Sequence, residues 1–233
     1  MGEHTDEAPD AVTAAGGSRP IHAADLGAAW QEFIRHPSAR LVVAQTVAAA
    51  AWRLSFGRLR RSDLPVFVGM ALWWPFQEWL VHTYLLHAPP RRIAGRRIDP
   101  LAARHHRAHH ADPWDPAITL LPMWVVAPAA PLELAGWLAV MPSRRAAANG
   151  MLAGSLATLA YEWVHHLVHL GYRPRRSWFR WVQRRHRLHH FKDEHLWLGV
   201  TSPWIDDLLG TAPDPRTVAT SPTVRSVHPP DAA

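Results

Sequence analysis

The sequence predicts an all-α protein set in a membrane, with its helices paired into two hairpins. Three observations lead there. Four apolar stretches, 41–56, 64–86, 117–141 and 146–164, fall in two close pairs. Tryptophans stand near the segment ends, where an amphipathic ring suits a membrane interface. Arginines crowd 91–107 and 173–187, between and after the two hairpins. Four spans would put both runs on one face, the cytoplasmic one by the excess of positive charge.

Each stretch departs from a clean span of about 20 apolar residues. The first is short and holds Arg53. The second contains Trp73, Trp74 and Trp79, with Glu78 and His82 near its end. The third holds Glu133 and three prolines, Pro122, Pro128 and Pro131. The fourth ends in Tyr161-Glu162-Trp163. Helices of a soluble bundle are the competing reading. Arg58, Arg60, Arg61, Arg144 and Arg145 also fall in the hairpin turns, on the face opposite the main arginine runs. Residues 1–25 are acidic and poor in apolar side chains, and 212–233 are rich in Pro, Ser and Thr. Both are expected to be disordered tails around a membrane domain at 26–211.

Composition narrows the chemistry. The 233 residues include 17 His, 13 Trp and no Cys, with a net charge of +6. Without cysteine there is no disulfide framework, Cys-ligated zinc, iron–sulfur cluster or thiol nucleophile. Lys192 is the one lysine; every other basic residue is Arg. The arginines lie in loops between apolar segments, not in one stripe, so nucleic acid is not the expected partner.

Thirteen of the 17 histidines lie between His82 and His195. All but His195 form four clusters: HTYLLH, HHRAHH, HHLVH and HRLHH. At about 100° per residue, positions i, i+3 and i+4 share a helix face. His106, His109 and His110 project together, as do His186, His189 and His190, and His165 pairs with His169. This is how one helix offers several imidazoles to a metal. His82 and His87 are five apart, which overshoots a full circle by about 140°. A wide turn or a helix end is expected between them, and Pro89-Pro90 just beyond agrees. His105 and His166 are spares that can replace a neighbour. His195 is expected to be structural or to support a ligand. His4, His22, His36 and His228 are assigned nothing. Ten clustered imidazoles exceed the six positions of one octahedral ion, so two metals are implied, iron or zinc by donor type. Glu78, four before His82, and Glu162, three before His165, are candidates to accept the second N–H of an imidazole.

The ordered series H-x4-H, H-x2-H-H, H-x3-H and H-x2-H-H resembles that of the fatty acid hydroxylase / sterol desaturase superfamily of integral membrane histidine-box enzymes. The stretch HRLHHFKDEHLWLGVTSPWIDDLLGT is similar too, with a histidine box, then G-V-T-S-P, W-x-D and G-T. The early FIRHPSAR extends the resemblance to about 33–211. It implies that His82, His87, His106, His109, His110, His165, His169, His186, His189 and His190 bind two irons, for which zinc can substitute. It implies four transmembrane helices beneath a cytosolic, helical, histidine-rich cap, in a multi-pass protein of the cell membrane.

The activity so implied is that of a di-iron monooxygenase of lipid biosynthesis. It would use O2 to hydroxylate or desaturate a fatty acyl chain or sterol at an unactivated C–H bond. Electrons would come from NAD(P)H through a separate protein of ferredoxin or cytochrome b5 type with its reductase. Trp73, Trp74, Trp79 and Trp124 are candidates to line an acyl channel. A carotenoid ring hydroxylase is the nearest alternative, and a membrane metal-binding protein is the non-enzymatic one.

Overall fold

A computed structural model describes residues 18–19 and 21–227. Most of the expected N-terminal tail lies outside them, as do His4 and His228. Helix α1 (Leu26–Arg35) starts where the Asp25 side chain accepts from the Ala28 N–H. His36 and Pro37 then open α2 (Pro37–Leu54), with proline at the first position, where its missing N–H costs nothing. A 3₁₀ turn, Arg61–Asp63, leads to α3 (Leu64–Val81). After α3 come a π-helical turn and a β-hairpin, then α4 (Leu101–Ala111), α5 (Pro116–Thr119) and α6 (Met123–Val140). The chain continues through α7 (Arg144–His169), α8 (Ser177–Phe191) and α9 (Trp204–Leu209).

The hairpin pairs β1 (Arg91–Ile93) with β2 (Arg96–Ile98), antiparallel, with Arg91 opposite Ile98. Ala94 and Gly95 turn it with φ of 50° and 76°, the left-handed pair that a two-residue loop requires. No strand was expected there. Four arginines across six residues hide the alternation that would have revealed it. The remaining regular structure is helical, as predicted.

Helix α7 is the axis of the bundle, packed against α2, α3 and α6. Its buried face is built of small residues, among them Ala147, Gly150, Ala153, Gly154 and Ser155. A Cβ on Gly150 would lie 2.5 Å from the Trp137 ring of α6. One on Gly154 would lie 2.0 Å from Glu133 Oε1. Glycine is what allows α6 to approach. Gln45 on α2 donates to Glu133 (3.0 Å) and Ser155 (3.2 Å), tying three helices together.

At the end of the bundle remote from the histidines, Asp63 is buried. It accepts from Arg53 (2.7 Å), Arg145 Nε (2.8 Å), Asn149 (2.9 Å) and the Arg60 N–H (2.8 Å). The Arg145 guanidinium holds its carboxyl well below the usual carboxylate range. Arg53, the interruption in the first apolar stretch, and Arg145, one of the arginines in the hairpin turns, therefore join the two hairpins as ion-pair partners of one carboxylate.

Among the described residues one stretch, Pro116–Val140, is long and apolar enough by itself to cross a membrane. Four were expected. The others carry polar interruptions: Arg40 and Arg53 in α2, Gln77 and Glu78 in α3, and Asn149 and the histidines in α7. Large apolar side chains nonetheless face outward along the bundle, including Val47, Val68, Leu72, Leu132, Val140 and Leu156.

The C-terminal segment departs from the expected disordered tail. Residues 212–227 lie along the histidine end, with Val224 and Val227 buried. Pro, Ser and Thr supply turns and side-chain hydrogen bonds here instead of disorder.

Candidate metal centre

All ten histidines singled out above converge, and they do so in two groups. His82, His87, His106, His110 and His189 form the first; His109, His165, His169, His186 and His190 form the second. Within each group, one nitrogen per ring lies within 4.8 Å of all the others, and every ring is buried. Helices α4 and α8 serve both groups. Positions i and i+4 of α4 (His106, His110) go to the first and His109 to the second, while α8 sends His189 to the first and His186 and His190 to the second. A shared helix face is thus divided between two sites, one residue of rotation apart.

The first pair is placed by the wide turn expected for it. Residues His82–Leu86 form a π-helical turn, and the His87 N–H donates to the His82 carbonyl (3.1 Å). One extra residue per turn brings side chains five apart onto the same side.

The ring nitrogens show what the groups are built for. His110 Nδ1 faces the Val224 carbonyl (3.0 Å), and His189 Nδ1 faces that of Leu196 (2.9 Å). A carbonyl only accepts, so both Nδ1 atoms carry the hydrogen. The Nε2 atoms of the neutral rings are then lone pairs, and they face each other at 3.1 Å. Protonating one would relieve the repulsion, but burial opposes it. His110 is lowered to about 3, and His106, His109, His186, His189 and His190 lie well below the ordinary histidine value, by burial first and by neighbouring imidazoles second. A cation shared by the lone pairs resolves the conflict. Both nitrogens of His109 are buried without a hydrogen-bond partner among the described residues, as are Nε2 of His165 and Nδ1 of His190. Neutral imidazole in this number, with no carboxylate in either group, fits iron or zinc.

The two carboxylates do not act as expected. Glu78 accepts from the N–H groups of Val200 and Thr201 and from the Thr201 hydroxyl. Glu162 accepts from the Leu121 N–H (3.0 Å). Neither reaches an imidazole. Glu78 instead anchors the G-V-T-S-P loop, and backbone carbonyls take the place foreseen for the acids: His82 Nδ1 meets the Leu198 carbonyl at 2.5 Å. Asp206 fixes that loop by accepting from the Leu198 and Gly199 N–H groups (2.9 and 2.8 Å) and the Thr211 hydroxyl (2.6 Å). Sequence reasoning left Asp206 without a role, although the W-x-D and G-T motifs marked it.

The spare histidines stay outside both groups. His105 faces the Leu120 carbonyl (3.3 Å), and His166 is buried against Phe33 and Trp163. His195 lies beside Glu194 (3.6 Å) with its ring 6.4 Å from His87. His36 contacts Ser38 (2.7 Å).

A mostly apolar cavity of about 270 Å³ reaches His106 of the first group and His109 and His165 of the second. Trp74, Trp124, Val81, Leu85, Leu120 and Tyr161 line it. A second cavity, bordered by Glu133 and Gly154 between α3, α6 and α7, shares Trp74, Gln77, Ala129 and Thr158 with it. Of the four tryptophans considered, Trp74 and Trp124 line this space. Trp73 is exposed and bonds Gln77, and Trp79 bonds Thr211.

Comparison with known proteins agrees with this geometry. The chain is 27% identical over 158 residues to dihydroceramide fatty acyl 2-hydroxylase FAH2 of Arabidopsis thaliana, covering 64% of this chain and 60% of that protein. It is 26% identical over 160 residues to FAH1 of the same plant, covering 64% and 61%. The chain thus spans about three fifths of these relatives. The solved structure described as full-length scs7p, with only its hydroxylase domain visible, shares the fold: TM-score 0.61 at 21% identity, covering 87% of this chain and 70% of that one. The fatty acid hydroxylase family model matches residues 67–211, more than half the chain and all ten clustered histidines. Two five-imidazole groups inside that match, beside an apolar cavity, make this chain a member of the fatty acid hydroxylase family.

Proposed function

We propose that this protein is a membrane-embedded monooxygenase that hydroxylates the acyl chain of a lipid, with two iron ions held by the ten clustered imidazoles. The observation that carries the reading is the apolar cavity that ends on imidazoles of both groups. Its apolar lining suits a hydrocarbon chain and disfavours water beside the imidazoles. His82, His87, His106, His110 and His189 would hold one ion, and His109, His165, His169, His186 and His190 the other. Bound iron would supply the activation of O2 by which one oxygen atom enters a C–H bond and the other leaves as water.

The protein's own part is placement. The Leu196, Leu198 and Val224 carbonyls fix which nitrogen of His189, His82 and His110 faces inward. Trp74, Trp124 and Tyr161 confine the chain, and the bundle presents apolar side chains to lipid. The outward-facing apolar residues of α2, α3, α6 and α7 support four spans, and the arginine runs at 91–107 and 173–187 would put the histidine cap on the cytoplasmic side. Each turnover consumes two electrons and two protons, so a separate ferredoxin- or cytochrome b5-type donor, fed from NAD(P)H, completes the reading.

The test is expression in a host without such enzymes, followed by lipidomics for a mass increase of one oxygen. His109→Ala should abolish the product with protein level unchanged. Full activity after metal stripping would sink the proposal. Tight metal uptake without oxygen consumption would leave a membrane metal-binding protein, and an oxygenated carotenoid ring would redirect the substrate assignment.

A further inference from the structure

The C-terminal segment beyond the family match makes contacts that the rest of the cap does not explain. It joins the ends of the two helices that serve both imidazole groups. The Ser221 N–H donates to the Lys192 carbonyl at the C-cap of α8 (2.7 Å), and Arg225 donates to the Ala111 carbonyl, the last of α4 (2.5 Å). Carbonyls at a helix end have no partner within the helix, so the segment closes α8 and α4 together. Between these points the Thr223 hydroxyl donates to Glu194 (2.5 Å), a fully buried carboxylate whose other oxygen has no hydrogen-bond partner among the described residues. The Arg225 guanidinium also lies over the Phe191 ring. At the centre of this arrangement the Val224 carbonyl accepts from His110 Nδ1.

The imidazole groups are supported unequally. In the first, His82, His110 and His189 each direct Nδ1 to a backbone carbonyl. In the second, His165 meets the Thr119 backbone, while Nδ1 of His109, His186 and His190 has no hydrogen-bond partner among the described residues. Two of the three carbonyls come from the 196–198 loop, which lies inside the family match. The third comes from outside it.

We propose that residues 221–227 are a positioning strap for the first imidazole group, pinned by Thr223 on Glu194 and acting on His110 through the Val224 carbonyl. A partner that fixes the tautomer and ring orientation of a ligand raises metal affinity, by roughly 10–100-fold in comparable sites. Releasing the strap should therefore weaken one metal position and spare the other. The inference rests on the metal-binding reading above, and the experiment separates the two.

The full chain, its Thr223→Val variant and its Thr223→Ser variant are loaded with zinc as the probe. Zinc per chain is measured after a fixed exposure to chelator, together with hydrogen exchange at 221–227 and the melting temperature. Valine should speed exchange in the strap and lower retained zinc from about two ions to about one, a selective loss of roughly 10–100-fold in affinity at one site. Serine keeps the hydroxyl and should retain both ions. Ser221→Pro removes the donor to Lys192 and should reproduce the valine result if that variant folds poorly. The proposal is overturned if the strap loosens and both ions stay, if both leave together at one rate, or if valine leaves exchange at 221–227 unchanged. A parent chain that takes up no zinc overturns the metal reading itself.

Discussion

Asp206 offers the sharpest test of how the cap is held. Its carboxylate is fully buried and accepts from the Leu198 and Gly199 N–H groups and the Thr211 hydroxyl. Asp206→Ala removes both acceptor oxygens, and with them all three hydrogen bonds, at once. Each buried N–H left without a partner costs about 1–3 kcal/mol, so two give about 2–6 kcal/mol before the loop relaxes. About 3 kcal/mol is the expected loss, since relaxation and water entry recover part of the sum. In a chain of this size that lowers the melting temperature by about 6–12 °C. The same loop aims the Leu198 carbonyl at His82, so metal affinity at the first group should fall by roughly 10–100-fold. Asp206→Asn keeps one carbonyl oxygen and should fall between. The assays are thermal unfolding in detergent and metal content after dialysis. A melting temperature within about 3 °C of the parent, with metal content unchanged, would refute the assignment of Asp206 as the anchor of the loop.

Other outcomes follow from the same geometry. Gly150→Ala should destabilise by about 1–2 kcal/mol: the gain in helix propensity of about 1 kcal/mol is outweighed by overpacking against the rigid Trp137 ring, which costs up to about 3 kcal/mol; thermal unfolding reads the sign. His106→Asn should cost bound metal while His105→Asn leaves it unchanged, since only the former ring belongs to a group; metal content per chain decides. The metal-free protein should lose stability as pH falls below about 6.5, the ordinary histidine value. Folding lowers the imidazole pKa values, to about 3 at His110, so the unfolded chain binds more protons between the two values and stability rises with pH there. A melting temperature of the metal-free protein that stays flat from pH 7 to 4 would contradict this.

The site was more legible in the sequence than the frame that holds it. Histidine spacing along α4, α7 and α8 follows the helix period, so it marked eight rings as candidates while leaving His105 and His166 as possible substitutes; the set of ten came from the family resemblance. The five-residue gap between His82 and His87 announced a wide turn because no straight α-helix reconciles it. Their division into two groups was not visible, because i+3 and i+4 neighbours share a face until the partner helices are in place. The supporting contacts were misread for a different reason. Glu78 and Glu162 stand at suitable spacings, but the imidazoles are oriented by the carbonyls of Leu196, Leu198 and Val224, and a backbone atom leaves no mark on residue type. The C-terminal strap was hidden by its composition, since Pro, Ser and Thr serve an ordered connection and a loose tail equally well.

The ion cluster at Asp63 bears on how the molecule is made. Arg53 and Arg145 reach this carboxylate from separate hairpins, and nothing outside the chain is needed to close it. The register of the helices at this end is therefore held by groups of the chain itself. That lock works as a jig: it sets the rotation of α3 and α7 about each other, and so the spacing at which His82 and His165 wait at the opposite end. On the proposed reading, metal would close one end of a bundle already fastened at the other.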